Sequence, residues 1–308
     1  MHDSIGAIPV FVAVVEEGGF SAAAKKLQVS KSAVSKRITQ LEARLGVQLL
    51  YRSTRKLSLS EAGEQYFAHA VQSLAAAREA EDAVAQMQGA PQGRLRINTT
   101  MSFGRLHVAP LVSEFLGKYP GVELDMVMDD RVVDMVEGGF DLAIRVRMLE
   151  DSSLFARKIA PSHNLLCAAP DYLKSRGTPT HPEQLHDHNC LHYAYASSVQ
   201  SWRFTNPKTS ESIALDTTGN YQVNNSEAMY EAVLQGLGIG RMPTFIAGPD
   251  VAAGKLVSLM PDYILPSQTI YAMFPERRHL PAKVRAFIDF LVSKLGGDVP
   301  TWDQPISG

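Results

Sequence analysis

The sequence predicts an α/β protein that opens with a winged helix-turn-helix, and three observations carry that prediction. Before Gly46 the apolar residues keep helical spacing, and between Leu49 and Leu59 they turn to alternation. After Ser60 a long helical pattern runs unbroken to the cluster Gly89, Pro91 and Gly93. Beyond Gly93 short apolar runs alternate with helices, the rhythm of a body with parallel or mixed sheets.

The opening elements follow from local chemistry. Ile5, Ile8, Val12 and Val15, with Phe11 beside them, define a first helix that Gly18-Gly19 ends. Ser21 is the expected cap of a short second helix through Leu27. Ser30 caps a third, whose inner face is Val34, Ile38, Leu41 and Leu45, and Gly46 stops it. LLYRSTRKLSL then reads as a two-stranded ribbon with its tip near Arg52 to Lys56. Three helices and a ribbon within the first 60 residues make the winged motif.

The next segment carries a stripe of Phe67, Val71, Leu74, Ala77, Val84 and Met87 along a helix of about 28 residues. One such helix cannot bury its own stripe, so a second copy of the chain is the expected cover, with packing on the chain's own body as the alternative.

In the body, RLRINT, VELDMVM, FDLAIRV, LLCAA and IYAMF read as strands. SFGRLHVAPLVSEFLGKYP reads as a helix bent or restarted at Pro110, and VVDMVEGG as a further helix. VVDMVEGGFDLAI and MYEAVLQGLGIGR each read as helix, glycine turn and buried strand, a weak internal repeat that fits two similar subdomains facing a cleft. A last helix starts with Pro281 at its first position and buries Val284, Phe287, Ile288 and Leu291, leaving GGDVPTWDQPISG loosely held.

The charge of −2 conceals an uneven distribution. Residues 1–60 hold nine basic side chains against four acidic, 61–92 hold one against five, and 93–308 hold twenty against twenty-three. A basic head on an acidic body is expected where only the head meets a polyanion. In the third helix Lys31, Ser32, Ser35, Lys36 and Thr39 are left outside the apolar face. Lys31, Ser32, Ser35, Lys36 and Arg37 are the DNA-contact candidates, since long basic side chains reach phosphates or guanine and serine permits close approach. Arg52 and Arg55 on the ribbon would hold flanking phosphates or enter the minor groove. An ordinary solvated helix face remains the alternative at this point.

Two cysteines, Cys167 and Cys190, sit in apolar surroundings and form no framework, so reduced packed thiols are expected. His181, His186, His188, Cys190 and His192 are zinc-ligand types, but no second cluster completes a site, and no metal or cofactor is expected. The N-terminus has no basic n-region and no run is long enough to span a bilayer, so the expected location is the cytoplasm, away from any membrane. No G-x-S-x-G, phosphate loop or HExxH occurs, and no enzyme activity is expected.

NTTMSFG ends a strand and opens a helix, placing Thr100 and Ser102 where free N–H groups favour an anion. Arg145 and Arg147 alternate at the end of a strand and can share one face, a pair suited to a carboxylate. A plain N-cap for Ser102 and a salt bridge from Arg145 to Asp141 or Asp151 are the alternatives. Asn225, at another helix start, would lie across the cleft, and Phe103 and Tyr195 complete the expected effector set.

GGFSAAAKKLQVSKSAVSKRITQLEARLGVQLLYRSTRKLSLSEAGEQYF, Gly18 to Phe67, resembles the DNA-binding domain of the LysR-type transcriptional regulators. SFGRLHVAPLVSEFLGKYP, DLAIRVRMLEDSSLFARKI, NNSEAMYEAVLQGLGIGRMP and VRAFIDFL are similar to the branch with CrgA-like and D-malate-regulator-like members. The resemblance implies a DNA-binding domain over 1–60, a linker and dimerisation helix with hinge over 61–92, and an effector domain of periplasmic-binding-protein fold over 93–308. Subdomain I would take about 93–162 and 268–298, and subdomain II about 163–267. The implied partners are double-stranded DNA at inverted repeats, a small carboxylate effector, a second copy in a homodimer or homotetramer, and RNA polymerase. A small-molecule-binding protein with an accessory basic head is the other reading. Ala33 stands where many members have proline, and Arg147 where the branch usually has glycine, a change expected to alter which effector fits.

Overall fold

The computed structural model describes residues 2–52, 57–86, 90–147, 155–195, 201–275 and 280–303. They form two compact units. One holds the described residues up to 86 with 134–140; the other holds 90–133 and the described residues from 141.

The first unit begins with α1 (His2–Glu16), α2 (Phe20–Lys26) and α3 (Lys31–Leu45), followed by the antiparallel pair β1 (Leu50–Arg52) and β2 (Leu57–Leu59). Ser30 caps α3 by accepting from the Ala33 amide at 3.1 Å, and Gly46 ends it at φ +69, a conformation that glycine adopts without strain. Gly19, not Ser21, occupies the cap position of α2, so that helix starts earlier than expected and without a side-chain cap. Val34, Ile38 and Leu41 are buried as the periodicity requires, whereas Leu45 lies beyond the packed face and is exposed. In α1 the buried residues centre on Val10, Phe11 and Val14, with Ile8 and Val15 at the margin, because α1 is enclosed from several sides.

α4 (Glu61–Gln86) starts at Ser60, whose hydroxyl accepts from the Gly63 amide and donates to the Gln48 carbonyl. Part of its stripe is covered by the unit's own core. Val71 is buried, Tyr66, Phe67 and Leu74 pack there, and Tyr66 meets Phe11 edge-on at 5.3 Å. Ala77 is exposed, while the Val84 side chain and Met87 lie outside the described residues.

The second unit contains β3 (Gly93–Thr99), α5 (Met101–Phe103), α6 (Val112–Lys118), β4 (Val122–Met128), β5 (Leu142–Arg147), β6 (Phe155–Ser162) and β7 (Asn164–Ala168). It continues through α7 (Pro170–Arg176), β8 (Cys190–Tyr193), β9 (Ser201–Thr205), β10 (Ser212–Asp216), β11 (Gln222–Val223) and α8 (Ser226–Leu234). β12 (Ile239–Pro243), α9 (Thr244–Ala252), β13 (Val257–Leu259), β14 (Gln268–Phe274) and α10 (Ala282–Leu295) complete it. Two five-stranded sheets result, ordered β4-β3-β5-β14-β6 and β11-β8-β12-β7-β13.

Each sheet has three parallel strands at one side and antiparallel strands beyond them. The chain passes between the sheets at His163 and again between β13 and β14. Ligands in open α/β sheets bind beyond the carboxyl ends of parallel strands, and this arrangement provides two such ends.

α5 runs through a π-helical turn at Gly104–Val108 and a 3-10 turn at Ala109–Leu111 into α6, so the helical path changes around Pro110 as expected. Gly104 is required there, since a Cβ would run into the Thr99 side chain. The helix expected over 132–139 does not form. Asp134 Oδ1 accepts from the Val136 and Glu137 amides, Gly139 sits at φ +62, and the segment folds into turns. The helical half of the internal repeat is therefore missing from its first copy. Pro281 caps α10 rather than entering it, while Val284, Phe287, Ile288 and Leu291 are buried as expected. Up to Asp303 the tail is held rather than loose, with Trp302 and Asp303 4% and 7% exposed; residues 304–308 lie outside the described residues.

Candidate functional site

The α3 face expected to meet DNA is laid out by the core beneath it. With Val34, Ile38 and Leu41 held inward, Lys31, Ser32, Lys36 and Arg37 are exposed and Ser35 is half-buried at the edge. Ser32 exchanges a hydrogen bond with Ser30 at 2.9 Å. Lys26 is neutralised by Glu16 and Glu17 at 3.1 and 2.7 Å, whereas Lys31, Lys36 and Arg37 enter no ion pair among the described residues. Glu42 fastens the ribbon to α3 by accepting from the Leu49 and Leu50 amides at 2.9 and 3.1 Å. Arg52 ends β1, with its side chain outside the described residues, and Arg55 lies outside them altogether.

The other expected site lies where the two sets of parallel strands end. Thr100 follows β3, and its amide donates to the Ile144 carbonyl of β5. The Thr100 and Ser102 hydroxyls are buried, and neither has a hydrogen-bond partner. No cap bond forms at Thr100, so the plain-cap alternative does not account for these groups. Asp130 Oδ1 accepts from the Met101 amide at 2.8 Å, and Asp130 also bonds Tyr193 at the end of β8. Burial and this carboxylate push the Tyr193 phenol well above its usual range. Arg105, one helical turn beyond Ser102, pairs with Glu227 in the first turn of α8 at 2.6 Å.

The two arginines on β5 are bonded differently. Arg145 donates to the Asp129 carbonyl at 3.1 Å, to the Arg131 carbonyl at 3.3 Å and to Asn98 Oδ1, so its guanidinium is consumed inside the protein. Burial pulls its pKa down, opposed by Asp130 and Asp129. The alternative of a salt bridge from Arg145 to Asp141 is not what its bonds show; Asp141 Oδ2 accepts from the Arg96 amide. Asp151, the other partner named in that alternative, lies outside the described residues. Arg147, two residues on, has a buried Nε with no partner.

Three other expected residues also divide. Asn225 caps α8 by accepting from the Ala228 amide at 2.8 Å. Tyr195 is exposed and accepts from Asn224 Nδ2 at 3.3 Å. Phe103 is fully buried, packed edge-on against Phe245 at 5.3 Å and Trp302 at 5.9 Å, so it supports the helix from within the core. Sequence reasoning missed Asp130, Tyr193, Arg105 and Glu227, because each matters through a contact distant along the chain.

The histidine-rich stretch is dispersed. His181 caps a turn by accepting from the Glu183 amide, His188 bonds the Tyr172 hydroxyl at 3.1 Å, and His192 bonds Thr217 at 2.9 Å. Among the described residues no group of three or more His, Cys, Asp or Glu could hold a metal. Cys167 and Cys190 are buried thiols, both pushed up to about 12 by desolvation. Among the described residues no single helix is long and apolar enough to cross a membrane.

Comparison with known proteins joins the two sites. Residues 5–64 match the bacterial regulatory helix-turn-helix protein family model of the lysR family, and 88–296 match the LysR substrate binding domain. The chain is 36% identical to the transcriptional regulator PtxR of Pseudomonas aeruginosa, over 96% of this chain and 94% of that one. It is 34% identical to the regulator CrgA of Neisseria meningitidis, over 95% and 97%. The crystal structure of a full-length AphB variant superposes with a TM-score of 0.68 at 31% identity, covering 93% of this chain and 97% of that one. CrgA from Neisseria meningitidis superposes with a TM-score of 0.62 at 33% identity, covering 95% and 99%.

Proposed function

The chain belongs to the LysR family of ligand-responsive, DNA-binding transcriptional regulators, and we propose how its residues divide that work. The family consists of transcriptional regulators rather than enzymes, and the match over residues 5–64 displaces the reading of the head as an accessory module.

DNA is held by residues 1–60. α3 enters the major groove, with Lys31, Ser32, Ser35, Lys36 and Arg37 facing bases and phosphates and Arg52 and Arg55 gripping the flanks. The observation that carries this is the row of exposed cations on α3 that no carboxylate among the described residues neutralises. Residues 61–92 join two copies into a homodimer, so that two heads meet an inverted repeat, and a tetramer doubles the contact. The remaining body, 93–308, takes the effector, with subdomain I over about 93–162 and 268–298 and subdomain II over about 163–267. The protein acts in the cytoplasm, where its DNA lies, and recruits RNA polymerase through the bend it imposes.

The effector is a small carboxylate. Buried hydroxyls without partners are costly, and Thr100, Ser102 and the unpartnered Nε of Arg147 supply donors at the ends of β3 and β5. Arg145 holds the Asp129–Arg131 loop behind them, and Tyr195 and Asn225 border the opposite wall. The effector changes transcription only through a difference in affinity between two arrangements of the body.

A mobility-shift titration on the protein's own upstream DNA tests the first half: a specific complex that weakens steeply with salt is expected, and its absence refutes the reading. A thermal-shift series with acetate, succinate and benzoate tests the second. Stabilisation that disappears in Ser102→Ala is expected, and no carboxylate effect at all refutes an anionic effector.

A further inference from the structure

The tail beyond α10 makes contacts that none of the roles above uses. The chain leaves α10 at Gly296, and a turn closed by the Asp303 amide on the Pro300 carbonyl carries it back onto the body. The Trp302 indole then packs on groups from both sheets' helices. His107, in the turn after α5, lies 4.7 Å away between ring centroids, Phe103 of α5 lies 5.9 Å away, and Phe245 of α9 lies 6.3 Å away. His107 reaches the same neighbour directly, through Nε2 to the Phe245 carbonyl at 3.0 Å. Asp303 Oδ2 lies 2.6 Å from Nδ1 of His163, the residue at which the chain passes from β6 to β7. The Thr244 amide, at the start of α9, donates to the His163 carbonyl at 2.9 Å. A single tail turn thus touches the first helix of one subdomain, the α9 start of the other, and the crossover between them.

The seam beneath this turn is packed but incompletely bonded. Trp302 Nε1, Ser162 Oγ and Thr244 Oγ1 are all buried, and none has a hydrogen-bond partner. Close packing with unmet polar groups is the condition of a contact that holds without being the strongest arrangement its atoms could make. Aromatic contacts have a short range, so a modest shift of α9 past α5 removes them rather than stretching them.

We propose that the carboxyl-terminal tail is a clasp across the effector domain, in which Trp302 locks α5 to α9 and Asp303 anchors the turn to the crossover at His163. The clasp sets the angle between the subdomains before any effector arrives. It acts on the same body that takes the effector, yet it stands independently of what that effector is. Trp302 is a positioning residue in this scheme: through Phe103 it steadies Ser102, and through Phe245 it steadies Thr244.

Hydrogen exchange on the full-length protein, without added ligand, tests the clasp. Trp302→Ala should raise amide exchange by about tenfold or more at both 103–108 and 245–251, while 284–291 in α10 and 34–41 in α3 keep their rates. Trp302→Phe, which keeps an aromatic ring, should restore most of the protection. Equal loss of protection throughout the second unit would mark Trp302 as ordinary core filling and overturn the proposal, as would a change at only one of the two segments. If Trp302→Ala does not fold, Asp303→Asn serves in its place, because it leaves the indole seated. A smaller increase at the same two segments is then expected, and unchanged exchange at both overturns the clasp. Loss of the carboxylate effect in Ser102→Ala, by contrast, bears only on the effector reading.

Discussion

Arg105 Nε and Glu227 Oε2 stand 2.6 Å apart, joining the helix that follows β3 to the first turn of α8 in the other sheet's layer. Arg105 is 59% exposed, so the pair belongs to the class of surface ion pairs that stabilise by about 1 kcal/mol or less. Its value lies in where it sits, one helical turn from Ser102. Arg105→Ala is therefore expected to leave the urea midpoint nearly unchanged while altering carboxylate affinity in thermal-shift titrations. A large loss of stability with unchanged affinity would assign the pair to the scaffold.

On α3, Lys36→Ala and Arg37→Ala remove cations that touch no protein carboxylate among the described residues. Operator affinity should fall in each, and the slope of log K against log salt should become shallower by about one for each phosphate deprived of its cation. A residue that reads a base should instead relax preference at one position of the site. Mobility shifts at several salt concentrations, on operator and scrambled DNA, separate the two outcomes. Ser30→Ala should cost about 1 kcal/mol of stability through loss of the α3 cap.

Ser102→Ala is expected to separate function from stability. Its hydroxyl is buried without a partner, so removing it should leave thermal stability equal or higher by about 1 kcal/mol. The stabilisation by carboxylates should disappear in the same variant. A scanning thermal melt with and without succinate measures both.

The two β5 arginines should behave oppositely. Arg145→Ala strands Asn98 and two carbonyls and is expected to cost about 2–3 kcal/mol in urea unfolding. Arg147→Gly removes a guanidinium whose buried Nε has no partner, and its expected effect is a weaker or redirected ligand profile. Equal destabilisation by both would refute the division between them.

Stability should fall on mild acidification. Burial lowers the pKa values of His107, His188 and His192 from the ordinary 6.5. Well above that value these side chains are neutral in both folded and unfolded chains and add no pH dependence. As pH drops through it, the unfolded chain takes up protons that the folded one resists, so unfolding becomes easier. Urea midpoints measured about one unit above and one unit below the ordinary histidine value should differ in that direction, and His107→Gln should reduce the difference.

Much of the DNA end is legible in the chain because its determinants are local. Ser30, Gly46 and the spacing of Val34, Ile38 and Leu41 specify a capped helix and its buried side within a few residues of one another. What faces outward then follows from geometry. Leu45 departs from its expected burial because a helix periodicity does not state where its partner surface ends.

The body divides differently. Its strands and the glycine turns between them are legible from short apolar runs, whereas residues 132–139 keep a helical pattern that Asp134 and the adjacent glycines override. Arg145 and Arg147 look equivalent in DLAIRVR; Asn98, 47 residues away, makes Arg145 a clamp, while the buried Nε of Arg147 has no partner. Phe103, placed at the effector by its neighbours in sequence, is a core residue because Phe245 and Trp302 enclose it. By itself the sequence determined which segments coil, which extend and which side of α3 is basic, since short-range sterics and hydrogen bonding decide those matters. Only the tertiary structure decided which polar groups are spent on the protein and which stay without a partner, because each such group is satisfied, or not, by residues far along the chain.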